Sequence, residues 1–319
     1  MTIGAIGSLY SYNLGGWLIN DDEGSFLYQA WRMNEGERLY EDILTSRWPL
    51  FLYSAAGWMR IVGMNVALMR VLVVVLTLCT ALLVFALARQ ALPTEAALLS
   101  MVVFLLHPDV FRYGRSFQPE SFYVFFSALG LYCFARGYKA NHTWWLLGAG
   151  IAFAVGSFYK LLTVLIFGGV VVSMLVALLR DLKLWRDTVF RMGVLFLSYV
   201  LPFGVVVGGF VAFVPRFYSS VIGINLAHGQ ELAPSQVISK GLFFFLQYGL
   251  AFAPFIALTL PSAWKGWSGD SRVALFSWQL LTAFAFVTLS RELFPRLLLY
   301  LVPSSAILFA TTIEPIRLL

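Results

Sequence analysis

Three adjacent acidic residues, Asp21, Asp22 and Glu23, stand just ahead of a long series of apolar segments. Because a charged side chain close to lipid is costly, an acidic cluster at a membrane boundary indicates a functional site. Carboxylate oxygens are also ligands for hard divalent cations, so Asp21 and Asp22 could hold such an ion, although we expect no metal or other cofactor. An acid just before an apolar-periodic segment is equally a common start of a helix, and the residues alone leave both interpretations open.

Another acidic residue, Glu120, falls at the mouth of a later apolar segment. An unpaired carboxylate would be expensive there, which again favours a functional role. The alternative is an acid in the first turn of a helix, stabilised by the helix dipole, and the two interpretations are equally supported. The three histidines are scattered and show no metal-ligand spacing, so they predict no metal site.

The composition defines the class of protein that must hold these acids. Of the 319 residues, 60% are hydrophobic and only 12% are charged, and the mean hydropathy is +0.81. These values exclude a pair of soluble domains and predict an all-α polytopic protein embedded in a lipid bilayer. The net charge of +6 fits basic residues retained in cytoplasmic loops, and we expect no nucleic-acid partner.

The apolar runs follow one another without a dividing linker, so we predict a single domain over residues 1–319. Residues 1–19 make a poor span, because about twenty apolar residues are needed to cross. Residues 20–65 form an acidic loop with two predicted interfacial helices, at 24–34 and 48–63. Residues 66–319 form a bundle of about nine predicted spans, at 66–88, 94–111, 117–135, 144–158, 161–179, 193–214, 241–260, 273–289 and 295–312.

The first loop and the start of the span that follows contain a series of residues with a recognisable order and spacing. The series is Asp22, Glu23, Tyr28, Ala30, Gly36, Tyr40, Glu41, Asp42, Pro49, Leu50, Gly63 and Arg70. It resembles the first non-cytoplasmic loop of the GT-C membrane glycosyltransferases that use polyprenyl-phosphate sugars, which include protein O-mannosyltransferases and lipid A aminoarabinose transferases. Residues 112–121 and 294–303 resemble the second outer loop and the last conserved span of that superfamily.

The resemblance implies a GT-C-like helical bundle with the acidic loop on its outer face. It also implies an inverting enzyme that moves a hexose or pentose from a polyprenyl-phosphate donor to a protein, lipid or glycan acceptor, with a hexose such as mannose as the expected sugar. The expected location is the cytoplasmic (inner) membrane, with the active site on the non-cytoplasmic face. Four basic residues between positions 180 and 191 favour that loop as cytoplasmic, which agrees with this orientation.

The resemblance further implies roles for individual residues. Asp22 is the expected base that takes the proton of the acceptor hydroxyl, with its neighbour Asp21 as the alternative. Glu23 completes the acidic pair, and Glu120 orients donor or acceptor. Cations at the outer ends of spans suit the donor phosphate, although each could instead be an interfacial snorkelling residue; they are Arg115, Lys160 and Arg296. The loop residues expected near the acceptor are Asp21, Tyr28 and Asp42.

Two alternative functions stay open at the level of sequence. A lipid or sugar-lipid transporter, or flippase, would also have many spans, but it predicts ionisable residues in span centres and an internal repeat. Here the charges gather at span ends and no repeat is visible. An inactive family member that serves as an assembly subunit is favoured by the poor span before the acids.

Overall fold

The computed structural model describes residues 3–16, 19–224, 239, 253–271, 273–289 and 299–314. Within these residues the regular structure is helical, apart from an isolated bridge between Leu39 and Ile43. A 3-10 turn at Leu182–Leu184 precedes α10, and a π-helical turn at Tyr218–Gly223 follows it. The α-helices, numbered in chain order, are α1 Ile3–Ser11, α2 Asp21–Asn34, α3 Pro49–Val62, α4 Val66–Ala88, α5 Thr94–Leu106, α6 Pro108–Tyr113, α7 Pro119–Ala140, α8 Thr143–Tyr159, α9 Thr163–Arg180, α10 Trp185–Phe213, α11 Ala253–Ser268, α12 Ala274–Leu289 and α13 Val302–Ile313.

Three of the described helices, α4, α9 and α10, are long and apolar enough to cross a membrane by length and composition. At about 1.5 Å per residue, a helix of this size covers the roughly 30 Å of a hydrocarbon core. The apolar helices α5, α8 and α13 are shorter. The all-α polytopic architecture expected from the composition is confirmed, while the total number of spans stays a prediction.

Several predicted boundaries differ from the helices for local reasons. The predicted span 94–111 is broken at His107, which is extended (φ −61°, ψ 126°) just before Pro108, because proline restricts the preceding residue and lacks an N–H. Lys160 is also extended (φ −160°, ψ 126°), so α8 and α9 are separate helices. The predicted span 241–260 lies largely outside the described residues, as does the start of 295–312.

Charged residues in the long helices lie near the helix ends rather than in their centres. Arg70 lies in the first turns of α4, Glu120 in the first turn of α7, and Lys160 directly after α8. Arg180 ends α9 and Arg186 is in the first turn of α10. The first three residues share one end of the bundle, because Glu23 contacts both Arg70 and the Phe117 backbone before α7, and Lys160 pairs with Glu120. Arg180 and Arg186 lie at the junction of α9 and α10. Among the described residues, this distribution differs from the mid-membrane charges that a transporter predicts.

The loop before α4 packs on the bundle through an aromatic cluster. The Phe26 ring of α2 meets the Phe51 ring of α3 edge-on, with centroids 5.0 Å apart. Phe51 in turn lies 5.6 Å from both Phe117 and Phe122, which flank the start of α7. Edge-to-face aromatic pairs add to the energy of area burial, so these contacts fix α2 and α3 over the first turn of α7.

The bundle depends on a close approach of α8 and α10 at Gly150. A Cβ atom at Gly150 would lie 2.7 Å from the Leu195 carbonyl oxygen and would also clash with Ser198, whereas one at Gly148 would meet only Cys133 Sγ, at 3.8 Å. Overpacking typically costs about 1–3 kcal/mol. We therefore expect Gly150→Ala to lower the unfolding temperature in detergent, with Gly148→Ala as the matched neutral control. Equal unfolding temperatures for the two variants would contradict this packing.

Candidate active site

The start of α2 places the three acids of the first loop in one helical turn. Asn20 is the N-cap, and its Oδ1 accepts a hydrogen bond from the Glu23 backbone N–H at 2.8 Å. Asp21, Asp22 and Glu23 then fill the first turn, where the helix dipole favours negative charge. The helix-start interpretation is therefore correct, but the capping side chain is Asn20, so none of the acids is needed for that bond.

Glu23 forms a fully buried ion pair with Arg70 of α4. Arg70 Nη2 lies 2.6 Å from Glu23 Oε2, Arg70 Nε lies 2.8 Å from Glu23 Oε1, and both side chains are 0% exposed. Glu23 Oε1 also accepts the Phe117 backbone N–H at 2.7 Å. The pair thus ties α2, α4 and the segment before α7 together, a geometry that suits a positioning role for Glu23.

Arg115, expected at the donor phosphate, is 4% exposed and contacts backbone carbonyls at the C-terminal end of α1 and just beyond it. Its Nε donates to the Tyr10 carbonyl at 3.1 Å and its Nη2 donates to the Tyr12 carbonyl. Arg70 likewise donates to the Leu14 carbonyl. The two arginines therefore hold residues 10–14 against the acidic site.

Asp22 is the partly exposed acid of the turn. Its Oδ1 lies 3.3 Å from Arg47 Nη2, and the two side chains are 33% and 36% exposed. Arg47 is held in place because its guanidinium lies 5.0 Å from the Phe26 ring centroid and its carbonyl accepts the Tyr40 hydroxyl at 2.7 Å. Asp22 thus presents a carboxylate to solvent beside a fixed cation.

Tyr40 adopts a left-handed backbone conformation (φ 70°) although it is not glycine. Its ring is buried at 0% exposure and packs 5.2 Å from Phe217, beyond the end of α10. Burial raises the pKa of the Tyr40 hydroxyl well above its usual value, so this group acts as a hydrogen-bond donor to Arg47 throughout the physiological range. The packing of the Tyr40 ring and its hydrogen bond to Arg47 therefore hold this strained backbone conformation in place.

Three predicted loop residues, Asp21, Tyr28 and Asp42, lie on the exposed surface of the loop. Asp42 Oδ2 accepts the Arg38 backbone N–H at 2.9 Å, which closes the turn around Tyr40. The Tyr28 ring lies 5.8 Å from Trp31 and 5.7 Å from the Arg32 guanidinium. Asp42 thus has a visible local role, while Asp21 and Tyr28 remain accessible from outside.

Glu120 and Lys160, expected to serve different parts of the site, form one ion pair. Lys160 Nζ lies 2.7 Å from Glu120 Oε1, with Glu120 2% and Lys160 19% exposed. The second oxygen, Glu120 Oε2, is buried and has no hydrogen-bond partner among the described residues. Lys160 keeps further donor capacity, because an ammonium group carries three N–H donors.

A polar network joins the two acidic stretches. Gln118 Nε2 donates to Asn20 Oδ1 at 3.0 Å, and Asn20 Nδ2 donates to Ser116 Oγ at 3.3 Å. The α3 helix reaches the same region, since Ser54 and Tyr159 share a hydroxyl hydrogen bond of 2.9 Å. The first loop, the start of α7 and the end of α8 therefore meet at one end of the bundle.

Sequence reasoning missed several residues of this site. Arg70 is part of the series that resembles the GT-C loop, but the sequence does not identify Glu23 as its partner. Its position at the start of a span indicates only that some partner is needed. Asn20 followed three residues later by Glu23 is a capping pattern that was readable. Nothing local marked Arg47, and Gln118 stood out only as part of residues 112–121, because their partners lie far away along the chain.

The remaining predictions concern Arg296 and metal ions. Arg296 lies outside the described residues. Within the described ranges, no group of three or more histidine, cysteine or acidic side chains comes together as a metal site. Asp21 and Asp22 therefore have no further such ligand grouped with them in that part of the chain.

Comparison with known proteins gives one family and one fold. The model of the dolichyl-phosphate-mannose-protein mannosyltransferase family matches residues 46–206. This range contains Arg70, Glu120 and Lys160 and begins after the acids of α2. No curated protein matches the chain.

Two solved structures of ArnT from Cupriavidus metallidurans are similar to the chain. The apo structure has 17% sequence identity and a TM-score of 0.73, over 98% of this chain and 58% of that one. The structure bound to undecaprenyl phosphate has 18% identity and a TM-score of 0.75, over 98% and 59%. The chain therefore spans less than three fifths of the length of these proteins, and the likeness confirms the expected GT-C-like fold.

Proposed function

The chain belongs to the dolichyl-phosphate-mannose-protein mannosyltransferase family, and from this premise we propose that it is a membrane glycosyltransferase with a polyprenyl-phosphate sugar donor. The protein is an integral, multi-pass membrane protein. The acceptor is a hydroxyl group of a protein, lipid or glycan on the non-cytoplasmic face of the inner membrane, and the sugar is a hexose such as mannose.

The observation that carries this proposal is the meeting of two differently charged groups at one end of the bundle. Asp22 supplies a partly exposed carboxylate, and Lys160 supplies a cation anchored by buried Glu120. The network through Asn20 and Gln118 connects the two segments. A carboxylate and a cation in one region are what transfer from a phosphate leaving group requires.

In the proposed reaction the Asp22 carboxylate takes the proton of the acceptor hydroxyl as its oxygen attacks the anomeric carbon of the sugar. The bond from that carbon to the phosphate oxygen breaks, and polyprenyl phosphate leaves with the electron pair. A single displacement inverts the anomeric configuration. Arg47 holds the Asp22 carboxylate in place, because the two side chains are paired in the resting protein.

The leaving phosphate acquires negative charge, which cations stabilise. Lys160 is the proposed direct ligand, because its ammonium group keeps free donors while Glu120 fixes its position. Arg115 adds positive charge near this region, where it contacts the Tyr10 and Tyr12 carbonyls. Arg296 is proposed as a third phosphate-binding residue. Asp21, Tyr28 and Asp42 are proposed for the acceptor side, and the reaction as written needs no metal ion.

Lys160 provides the test of the phosphate-donor part of the proposal. We expect Lys160→Met to weaken binding of polyprenyl phosphate about tenfold to a hundredfold, since a charge-assisted hydrogen bond is lost. Affinity is measured for the purified chain in lipid nanodiscs, with uncharged polyprenol as the reference ligand. Only polyprenyl phosphate should lose affinity.

Two further variants make this test decisive. The double variant Lys160→Met, Glu120→Gln leaves no buried unpaired carboxylate and should still lose the phosphate-dependent affinity. Lys139→Met removes an exposed lysine from the other end of α7 and should bind like the unmodified chain. Unchanged affinity for polyprenyl phosphate in both Lys160 variants would show that Lys160 does not bind the donor phosphate.

A further inference from the structure

Gln118, at the candidate site, has a buried oxygen atom without a hydrogen-bond partner among the described residues. Its side chain is 2% exposed, its Nε2 donates to Asn20 Oδ1, and its Oε1 accepts no hydrogen bond in the part of the chain that the structure describes. Asn20 Oδ1 also accepts the Glu23 backbone N–H. Because Asn20 Oδ1 is thereby fixed as an acceptor, Gln118 must turn its nitrogen toward Asn20 and its oxygen elsewhere.

Glu120, two residues after Gln118, also has a buried oxygen atom without a partner among the described residues. One carboxylate oxygen accepts from Lys160, while Oε2 is buried and unpaired among the described residues. Glu120 also lines a cavity of about 20 Å³, which has room for one water molecule or one hydroxyl group. Buried acceptors in native proteins are nearly always hydrogen-bonded to protein, water or ligand. The two oxygens at neighbouring positions therefore require donors from outside the described residues, which a bound water or a ligand hydroxyl can supply.

We propose that Gln118 Oε1 and Glu120 Oε2 accept hydrogen bonds from two hydroxyl groups of the donor sugar, which makes Gln118 a specificity-determining residue. This inference rests on the proposed glycosyltransferase function and deepens it by naming the residues that select the sugar. Gln118 is neutral, and Lys160 balances the charge of Glu120. A sugar ammonium group would add an unbalanced positive charge beside Lys160. The substrate is therefore an uncharged sugar with free hydroxyl groups.

The hydrogen bonds explain how the site would reject other sugars. A donor that lacks either hydroxyl leaves a buried acceptor unpaired in the complex. Sites built around such bonds discriminate strongly against analogues without the group. The discrimination should be larger at Glu120 than at Gln118, because a hydrogen bond to a charged acceptor is the stronger of the two.

The experiment compares transfer from polyprenyl-phosphate mannose with transfer from its single-deoxy analogues. For the unmodified chain, we expect one analogue to lose about tenfold in kcat/KM and another up to about a hundredfold. In Gln118→Met the first loss should disappear while the second persists. Losses that are the same in both proteins for every analogue would overturn the assignment of Gln118.

The control variant is Gln90→Met. It removes another amide whose buried nitrogen has no hydrogen-bond partner among the described residues. Gln90 lies just beyond the C-terminal end of α4, whereas Arg70 and the candidate site lie at the N-terminal end. This variant should reproduce the pattern of the unmodified chain. Gln118→Met also loses its bond to Asn20, so a second measurement avoids the variant altogether. The unmodified chain should use a donor with an amino group in place of a hydroxyl at least tenfold less well than the neutral donor, and equal use would overturn the proposal.

The failure of this inference differs from the failure of the proposed function. If the mannose donor is consumed and all deoxy analogues are consumed equally well, only the Gln118 and Glu120 assignment falls. If no polyprenyl-phosphate sugar is consumed, the glycosyltransferase function itself falls, and the sugar-binding assignment falls with it.

Discussion

Glu23→Gln and Arg70→Met should each destabilise the protein by about 3–5 kcal/mol, because each leaves a buried charge without its partner. The two side chains are 0% exposed, and their hydrogen bonds are 2.6 and 2.8 Å long. Because Glu23 also accepts from Phe117, its loss loosens the segment that leads into α7. We expect this disturbance to reach Gln118 and Glu120 and to abolish activity together with stability.

Equilibrium unfolding in mixed micelles measures this effect. The matched control is Glu41→Gln, which breaks an exposed ion pair with Arg38, whose side chain is 69% exposed, and should cost at most about 1 kcal/mol. The double variant Glu23→Leu, Arg70→Met should recover part of the loss, since no charge remains buried, although Phe117 and Leu14 lose partners. Single variants as mild as Glu41→Gln would show that the pair does not organise the site.

Asp22→Asn should lower the rate of sugar transfer by a factor of about 10² to 10⁴, the usual contribution of a general base. Asparagine has nearly the same shape but cannot take a proton. The lost ion pair with Arg47 is one-third exposed, so it should cost at most about 1 kcal/mol of stability. The affinity for polyprenyl phosphate should be unchanged, because Lys160 is not altered.

Steady-state kinetics on purified protein, together with donor binding, separates these effects. Asp187→Asn is the matched control, because Asp187 is 52% exposed and pairs with Arg191 at 2.7 Å at the opposite end of the bundle. It should keep the activity of the unmodified chain. If Asp22→Asn retained at least half of the activity, Asp22 would not be the base, and neighbouring Asp21 would be the next residue to replace.

The sequence was informative wherever a local rule determined the structure. The apolar run predicted as a span at 66–88 coincides with α4. The helices α2 and α3 lie where the two loop helices were predicted. The break between the predicted spans 144–158 and 161–179 is present because Lys160 leaves the helical conformation. Helix existence in these segments follows from short-range periodicity, which a sequence displays directly.

The parts that could not be predicted depend on contacts between distant segments. Glu23 and Arg70 are far apart along the chain, and only the packing of α2 on α4 shows that they pair. The left-handed conformation of Tyr40 is fixed by burial against Phe217. The early start of α10 at Trp185 was missed because its first turns are polar. Contacts between distant segments thus bring residues that the sequence shows separately, such as Glu23 and Arg70, together in one site.

The most direct test of the account is the release of polyprenyl phosphate from polyprenyl-phosphate mannose by the unmodified chain in liposomes, with radiolabel in the sugar and a hydroxyl-bearing acceptor present. We expect polyprenyl phosphate and glycosylated acceptor to form in equal amounts, with the anomeric configuration of the sugar inverted. A chain that binds polyprenyl phosphate but releases none from any sugar donor would contradict the enzymatic function. That result would leave this protein as a lipid-binding member of its family.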